Sequence, residues 1–184
     1  GVPFFAGFYS KDMIIESAFA AHTDIGQYAF VMGIAAAFLT SFYSWRLIFM
    51  TFHGKPRASE EAMHHVHESP ASMTIPLAIL AAGAVVAGFV FYEYFVGDYY
   101  EDFWRGSLFL AGENVLEAAH HVPVWVKLLP LVMSVSGFVL AWLFYIKATD
   151  IPGRLAAVHE PIYKFLLNKW YFDEIYDFLF VRPA

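Results

Sequence analysis

The side chains in this sequence that could do chemistry are few and clustered. Lys11 and Asp12 are adjacent, and Glu16 follows Asp12 by four residues, a spacing that puts both carboxylates on one face of a helix. Residues 10–21 read as that helix: Met13, Ile14, Ala18 and Ala21 give it an apolar side, Ser10 is placed to cap it, and Pro3 and Gly7 break regular helix upstream. Twelve residues rise about 18 Å, roughly half a bilayer. If the far end, near His22-Thr23-Asp24, reaches the outer surface, Lys11 and Asp12 lie near the membrane midplane. A lysine there costs ~2.5–3.5 kcal/mol or more. Because burial disfavours the charged ammonium, such a lysine can release and regain a proton, as a transport relay requires. A plainer role, with Lys11 snorkelling to a surface and Asp12 merely capping the helix, fits the same spacing, and spacing alone leaves both open.

The remaining polar residues read differently. Arg46 stands inside an apolar run or near its end and could tune such a relay electrostatically, although an arginine there more often snorkels or pairs. His64, His65 and His67 with Glu68 superficially suggest a metal, but no second ligand pair follows at helical spacing. A loop-positioning or proton-surface role suits them better, with Pro70 marking a turn before the next helix. His120 and His121, ahead of Pro123, are expected on a solvated outer loop, and Gly83, Gly88 and Gly137 are expected to permit close helix packing. Asp173, Glu174 and Asp177 set against Phe172, Tyr176 and Phe180 suggest an interfacial amphipathic segment. No glycine-rich nucleotide loop, Ser-His-Asp order or metal-ligand set is present in the sequence.

Apolar spans must carry these residues. Hydrophobic residues make up 59% of 184 and charged residues 15%, against ~45–50% and ~25% in soluble chains. Those figures exclude disorder and coiled coil, while the absence of cysteine excludes a disulfide framework, thiolate clusters and thiol catalysis. A net charge of −6 gives no support to nucleic-acid binding. Charge-free runs of 21, 24 and 19 residues separate Asp24 from Arg46, Glu68 from Glu93 and Lys127 from Lys147. Each is close to the ~20 residues a helix needs to cross a bilayer. The expected fold is all-α, a polytopic transmembrane bundle with helices at about 28–52, 71–93 and 124–147. Lys127 and Lys147 are expected to snorkel to the two interfaces, with Trp125, Trp142 and Tyr145 in an aromatic belt.

With three spans, loop 53–70 and the tail after 147 share a side, which holds seven Lys and Arg: Lys55, Arg57, Lys147, Arg154, Lys164, Lys169 and Arg182. The opposite side holds Arg105 and Lys127 among Asp98, Glu101, Asp102, Glu113 and Glu117. The first side is therefore assigned to the cytoplasm or the equivalent matrix. The expected division is 1–27, half of a discontinuous transmembrane helix with an outer loop; 28–147, a three-helix membrane region; and 148–184, an interfacial segment leading to a lateral helix. Gly1-Val2-Pro3-Phe4-Phe5 has no signal-peptide pattern, and so abrupt an apolar start suggests a piece of a longer protein.

Residues 7–16, Gly-Phe-Tyr-Ser-Lys-Asp-Met-Ile-Ile-Glu, resemble the broken transmembrane helix of the most distal antiporter-like subunit of proton-translocating NADH:quinone oxidoreductase, respiratory complex I. The likeness continues in order. Thr40-Ser41-Phe42-Tyr43-Ser44-Trp45-Arg46 and Phe52-His53-Gly54-Lys55-Pro56-Arg57 resemble that family's next helix and basic exit. His65-Val66-His67-Glu68-Ser69-Pro70 and Ile75-Pro76-Leu77 resemble the following loop and helix. Trp170-Tyr171-Phe172-Asp173-Glu174-Ile175-Tyr176-Asp177 with Val181-Arg182-Pro183 resembles the approach to its lateral helix. The first motif is shared among antiporter-like subunits; the His-Glu-Ser-Pro loop and the tail favour the distal one.

The resemblance implies proton translocation as a non-redox part of the complex, with Lys11 the charged residue of a half-channel and Asp12 beside it on the exit side. Glu16 and Arg46 are secondary candidates. It implies no cofactor in this chain, nicotinamide, flavin and iron–sulfur groups lying elsewhere, and no metal at the histidines. Expected partners are other membrane-arm subunits, the lipid bilayer and protons, with no nucleic acid. The expected location is a bacterial inner membrane or its mitochondrial equivalent. The piece alone is expected to be inactive. Two alternatives stand beside this reading: the large subunit of a multisubunit cation/proton antiporter, and an inert structural membrane scaffold.

Overall fold

A computed structural model describes residues 3–54, 58–108 and 114–182. Gly1, Val2, Lys55, Pro56, Arg57, Glu113 and Pro183, named above, lie outside the described residues. The fold is all-α, with no strand among the described residues.

The first helix, α1, runs from Ala6 to Ala20. It starts earlier than the expected Ser10, and Ser10 caps nothing: Phe5 holds the N-cap position in extended conformation without a side-chain hydrogen bond. Gly7 does not break the helix. The interruption falls at Phe4, whose φ is +71°. Packing explains the difference, because Gly88 of a later helix lies so close to Ala6 that a Cβ there would come within 2.6 Å of its Cα. That contact holds the first turn helical despite the ~1 kcal/mol that glycine costs in a helix. The fifteen residues of α1 rise about 22 Å, still short of a bilayer.

His22, at φ +49°, reverses the chain. Thr23 then caps α2, Asp24–Phe52, by accepting from the Gly26 N–H at 3.0 Å, and Asp24 in the first turn complements the dipole. The reversal is tight, since a Cβ on Gly26 would lie 2.6 Å from the Ala18 carbonyl.

A short exposed helix, α3 (Glu60–His64), precedes α4 (Ala71–Phe95). The turns α5 (Tyr100–Trp104) and α6 (Val115–His120) follow on the opposite side, then α7 (Val124–Trp142), continued to Lys147 by a π-turn. Helices α2, α4 and α7 with its extension are long and apolar enough to cross a membrane. They match the three expected spans to within a few residues.

The strongest seam joins α2 to α7. A Cβ on Gly137 would sit 2.5 Å from the Phe38 carbonyl, and Trp45 meets Phe138 edge to face with ring centroids 4.7 Å apart. Helix α1 lies across this pair and also carries α4, its Tyr9 ring 5.2 Å from Tyr92. Of the three glycines expected at helix contacts, Gly88 and Gly137 are there, whereas a methyl on Gly83 would have nothing within 4 Å of it. The apolar core gathers at one end of the bundle, where Met13, Ile15 and Ala20 meet Phe30, Ile34, Ala119, Val122 and Val126.

The tail forms α8 (Ile151–Val158), α9 (Glu160–Leu167) and α10 (Phe172–Tyr176). Lys169, Trp170 and Tyr171, all at positive φ, make the bend between α9 and α10. Its ion pairs among the described residues are local and exposed: Arg154–Asp150 and Lys164–Glu160 at 2.6 Å, Arg182–Asp177 at 2.8 Å and Lys169–Asp173 at 3.5 Å. Pairs of that kind contribute ~0–1 kcal/mol, so the tail owes little stability to them.

Candidate functional site

Successive residues on a helix point about 100° apart, so the neighbours Lys11 and Asp12 face different surroundings. Lys11 is exposed, and Asp12 is buried against the bundle. Both line a cavity of about 670 Å³ between α1, α2 and α7. Its walls are mostly apolar, with Ile14, Ile15, Trp45 and Phe138 among them, and its polar groups besides the two charges are Thr40, Ser41, Ser44 and Ser134. Thr40 and Ser44 are one helical turn apart and Ser41 is adjacent, so α2 turns a strip of hydroxyls toward the lysine. The Ser41 hydroxyl donates to the Ser134 carbonyl at 2.6 Å. A lysine, a carboxylate and hydroxyls around one cavity can hold water and exchange protons.

Glu16 lies one turn beyond Asp12 on the same face, and each keeps only 8% of its surface exposed. The expectation of a shared face thus holds. The expected apolar side is corrected: Met13 is buried, but Ile14 is 68% exposed, and the buried face carries the two carboxylates. The reason is that α1 has partners on several sides, so its inward face spans Asp12, Met13, Ile15 and Glu16. Among the described residues, neither carboxylate makes a hydrogen bond or salt bridge.

Lys127 does not simply snorkel: its Nζ donates to the His120 carbonyl at 2.7 Å. Nor is His120 a free loop side chain, because its Nε2 lies 2.8 Å from the Val96 carbonyl. This bond ties α6 to the end of α4. His121 is exposed, as expected.

Arg46 is outside the cavity lining. Its Nε donates to the Tyr145 hydroxyl at 3.0 Å, with the guanidinium carbon 5.6 Å from that ring's centre. The π-turn at Leu143–Lys147 carries Tyr145 to this position. Trp125 packs edge to face on Phe19 and Phe30 beside the apolar core, and Lys147 sits 5.8 Å from the Trp142 ring centre. His64, His65 and His67 are exposed, with the His67 Nδ1 3.0 Å from the Glu68 carbonyl.

Thr40, Ser41, Ser44, Ser134 and His120 do not stand out in the sequence as parts of a site. The signal available is the Thr40–Ser44 spacing inside an otherwise apolar span. Ser134 and His120 carry no local signal, because only packing brings them to the others.

A family model described as NADH dehydrogenase subunit 5 C-terminus matches residues 43–101. NADH-quinone oxidoreductase subunit L of Rhodobacter capsulatus is 42% identical over an alignment covering 100% of this chain and 33% of the relative. NADH-ubiquinone oxidoreductase chain 5 of Phytophthora infestans is 37% identical, with 96% of this chain and 27% of the relative covered. F(420)H(2) dehydrogenase subunit L of Methanosarcina mazei is 42% identical, with 95% and 27% covered. The chain thus spans a third or less of the length of these curated relatives. Its three span-length helices and these relatives together make it a multi-pass membrane protein. The chain belongs to the family of NADH-quinone oxidoreductase subunit L and NADH-ubiquinone oxidoreductase chain 5.

Proposed function

We propose that this chain carries part of a proton path across an energy-transducing membrane, as the non-redox segment of an NADH:quinone oxidoreductase subunit. Lys11 is the group that gains and loses the proton, and Asp12 is the acceptor beside it. The observation that carries this reading is the pair itself: an exposed lysine and a buried carboxylate without a hydrogen-bond or salt-bridge partner among the described residues, adjacent on a helix too short to span a bilayer, opening on a cavity lined with hydroxyls. An inert scaffold has no use for two adjacent ionisable groups on a half-length helix packed among membrane spans, where each is costly. Glu16 continues the line toward the outer end. Arg46, held by Tyr145, acts at most through its field. The chain's partners are other membrane subunits of the complex, and α4 supports this, since Gly88 is its one buried residue among those described.

The test is Lys11→Met in the full-length protein, assembled in its complex, with the proton/electron ratio measured in sealed vesicles. A lowered ratio with normal assembly and undiminished electron transfer from the redox groups is expected. An unchanged ratio in a normally assembled complex supports the scaffold reading and would falsify the relay.

A further inference from the structure

We propose that the cavity beside α5 holds the headgroup of a phospholipid carrying both a phosphate and an ammonium group, with the phosphate on Arg105 and the ammonium on Glu101. The site stands apart from the proton path.

The end of α4 builds the place for it. The last turn of α4 is aromatic, and α5 folds back on that turn. The Tyr94 ring lies 5.7 Å from Tyr99, and the Phe95 ring lies 5.1 Å from Phe103 and 5.5 Å from Trp104. An apolar span that ends in clustered Tyr, Phe and Trp rings marks the level where acyl chains give way to headgroups. At that level Tyr100, Glu101, Trp104, Arg105 and Leu108 line a cavity of about 310 Å³. Small-molecule sites run from ~300 to ~1,000 Å³, so a headgroup is the size of ligand it suits.

Glu101 and Arg105 are four residues apart, the spacing at which Asp150 pairs with Arg154 and Glu160 with Lys164 at 2.6 Å. Among the described residues neither Glu101 nor Arg105 forms an ion pair. The backbone gives the reason, because Arg105 has left the helix, its φ at +50°. That conformation is uncommon for a residue with a Cβ and persists only where its surroundings hold it. The Arg105 N–H, donating to the Glu101 carbonyl at 2.8 Å, is one such hold. A cation and an anion therefore line one cavity, and neither neutralises the other. The Trp104 Nε1 is buried and has no acceptor among the described residues, a deficit that a bound acceptor removes.

A zwitterionic headgroup meets all three needs. Arg105 offers paired N–H groups to phosphate oxygens, the indole N–H is a further donor, and Glu101 accepts from the ammonium. The acyl chains run along α4, where Phe95 and Phe91 are exposed with their rings 6.3 Å apart. Asp98, Glu101 and Asp102 outnumber Arg105 in this stretch, which disfavours a headgroup of net negative charge.

Photolabelling of the complex with full-length protein tests the site. The probe is phosphatidylethanolamine with a diazirine in its acyl chain, present as a trace in phosphatidylglycerol nanodiscs, and the label is mapped by peptide. We expect labelling of residues 91–108 several-fold above that from a phosphatidylglycerol probe of the same design. Arg105→Gln should cut it several-fold, and Glu101→Gln should bring the two probes level, while labelling of the exposed Val132 and Val135 stays constant. Equal labelling by both probes in the wild type overturns the proposal, as does wild-type labelling in Arg105→Gln. Displacement of the probe by inorganic phosphate overturns it too, by assigning the cavity to a free anion. If Arg105→Gln does not assemble, Trp104→Phe decides, since it keeps the ring stacking and removes the N–H: a several-fold loss supports the site, and unchanged labelling overturns it.

Discussion

The Ser41 hydroxyl donates to the Ser134 carbonyl at 2.6 Å, joining α2 to α7 at the wall of the cavity that Lys11 lines. An interhelical bond of this kind contributes about 0.5–1.5 kcal/mol. Ser136 is the natural comparison, because its hydroxyl donates to Val132, one turn back in its own helix, at 2.8 Å. We expect Ser41→Ala to lower the thermal stability of the assembled protein measurably and Ser136→Ala to lower it less. Equal effects would show that the bond does not hold the seam.

Glycine substitutions separate close packing from mere composition. A methyl at Gly137 or Gly88 would meet backbone at 2.5 or 2.6 Å, whereas one at Gly83 meets nothing within 4 Å. Gly137→Ala and Gly88→Ala should each destabilise by about 1–3 kcal/mol through forced helix displacement. Gly83→Ala should be neutral or stabilising by up to about 1 kcal/mol, since alanine favours helix. Thermal unfolding of the three variants gives the ranking, and a destabilising Gly83→Ala would contradict it.

Arg46 and Tyr145 form a pair whose worth a double-mutant cycle can read. Arg46→Gln and Tyr145→Phe should each destabilise, with a coupling of about 0.5–1 kcal/mol. If Arg46 also tunes the proton path by its charge, Arg46→Gln lowers proton flux while Tyr145→Phe, which keeps the charge, does not. Equal flux in both variants assigns the arginine to packing alone.

Asp12 offers a case where stability and activity should part. A buried carboxylate with no partner among the described residues is costly, and the isosteric amide removes the charge. Asp12→Asn is therefore expected to match or exceed the wild type in thermal stability while losing proton flux several-fold. A stability loss above about 1 kcal/mol, the scale of a broken hydrogen bond, would identify Asp12 as a structural partner instead.

The three spans were legible because lipid imposes a simple rule: some twenty residues without charge. The runs after Asp24, Glu68 and Lys127 obey it, and the helices lie there. The start of α1 was not legible, because Gly7 and Ser10 carry local signals that the contact of Ala6 with Gly88 overrides. Lys127 and His120 escape a local reading for a related reason. Each looks like a solvated side chain in its own neighbourhood, and each is bonded to a backbone carbonyl, the one on His120 and the other on Val96.

Spacing along one chain thus specified the helical character of this protein, its spans, and the adjacency of Lys11, Asp12 and Glu16, since a helix converts intervals of one and four residues directly into faces. The cavity, the Ser41–Ser134 bond, the pairing of Arg46 with Tyr145 and the bond of His120 to Val96 came from helix against helix. Those contacts join residues far apart in the chain, the two serines by 93 positions and the arginine and tyrosine by 99. No local pattern encodes such distances; they follow from which small residues let two helices close on each other, as Gly88 and Gly137 do here.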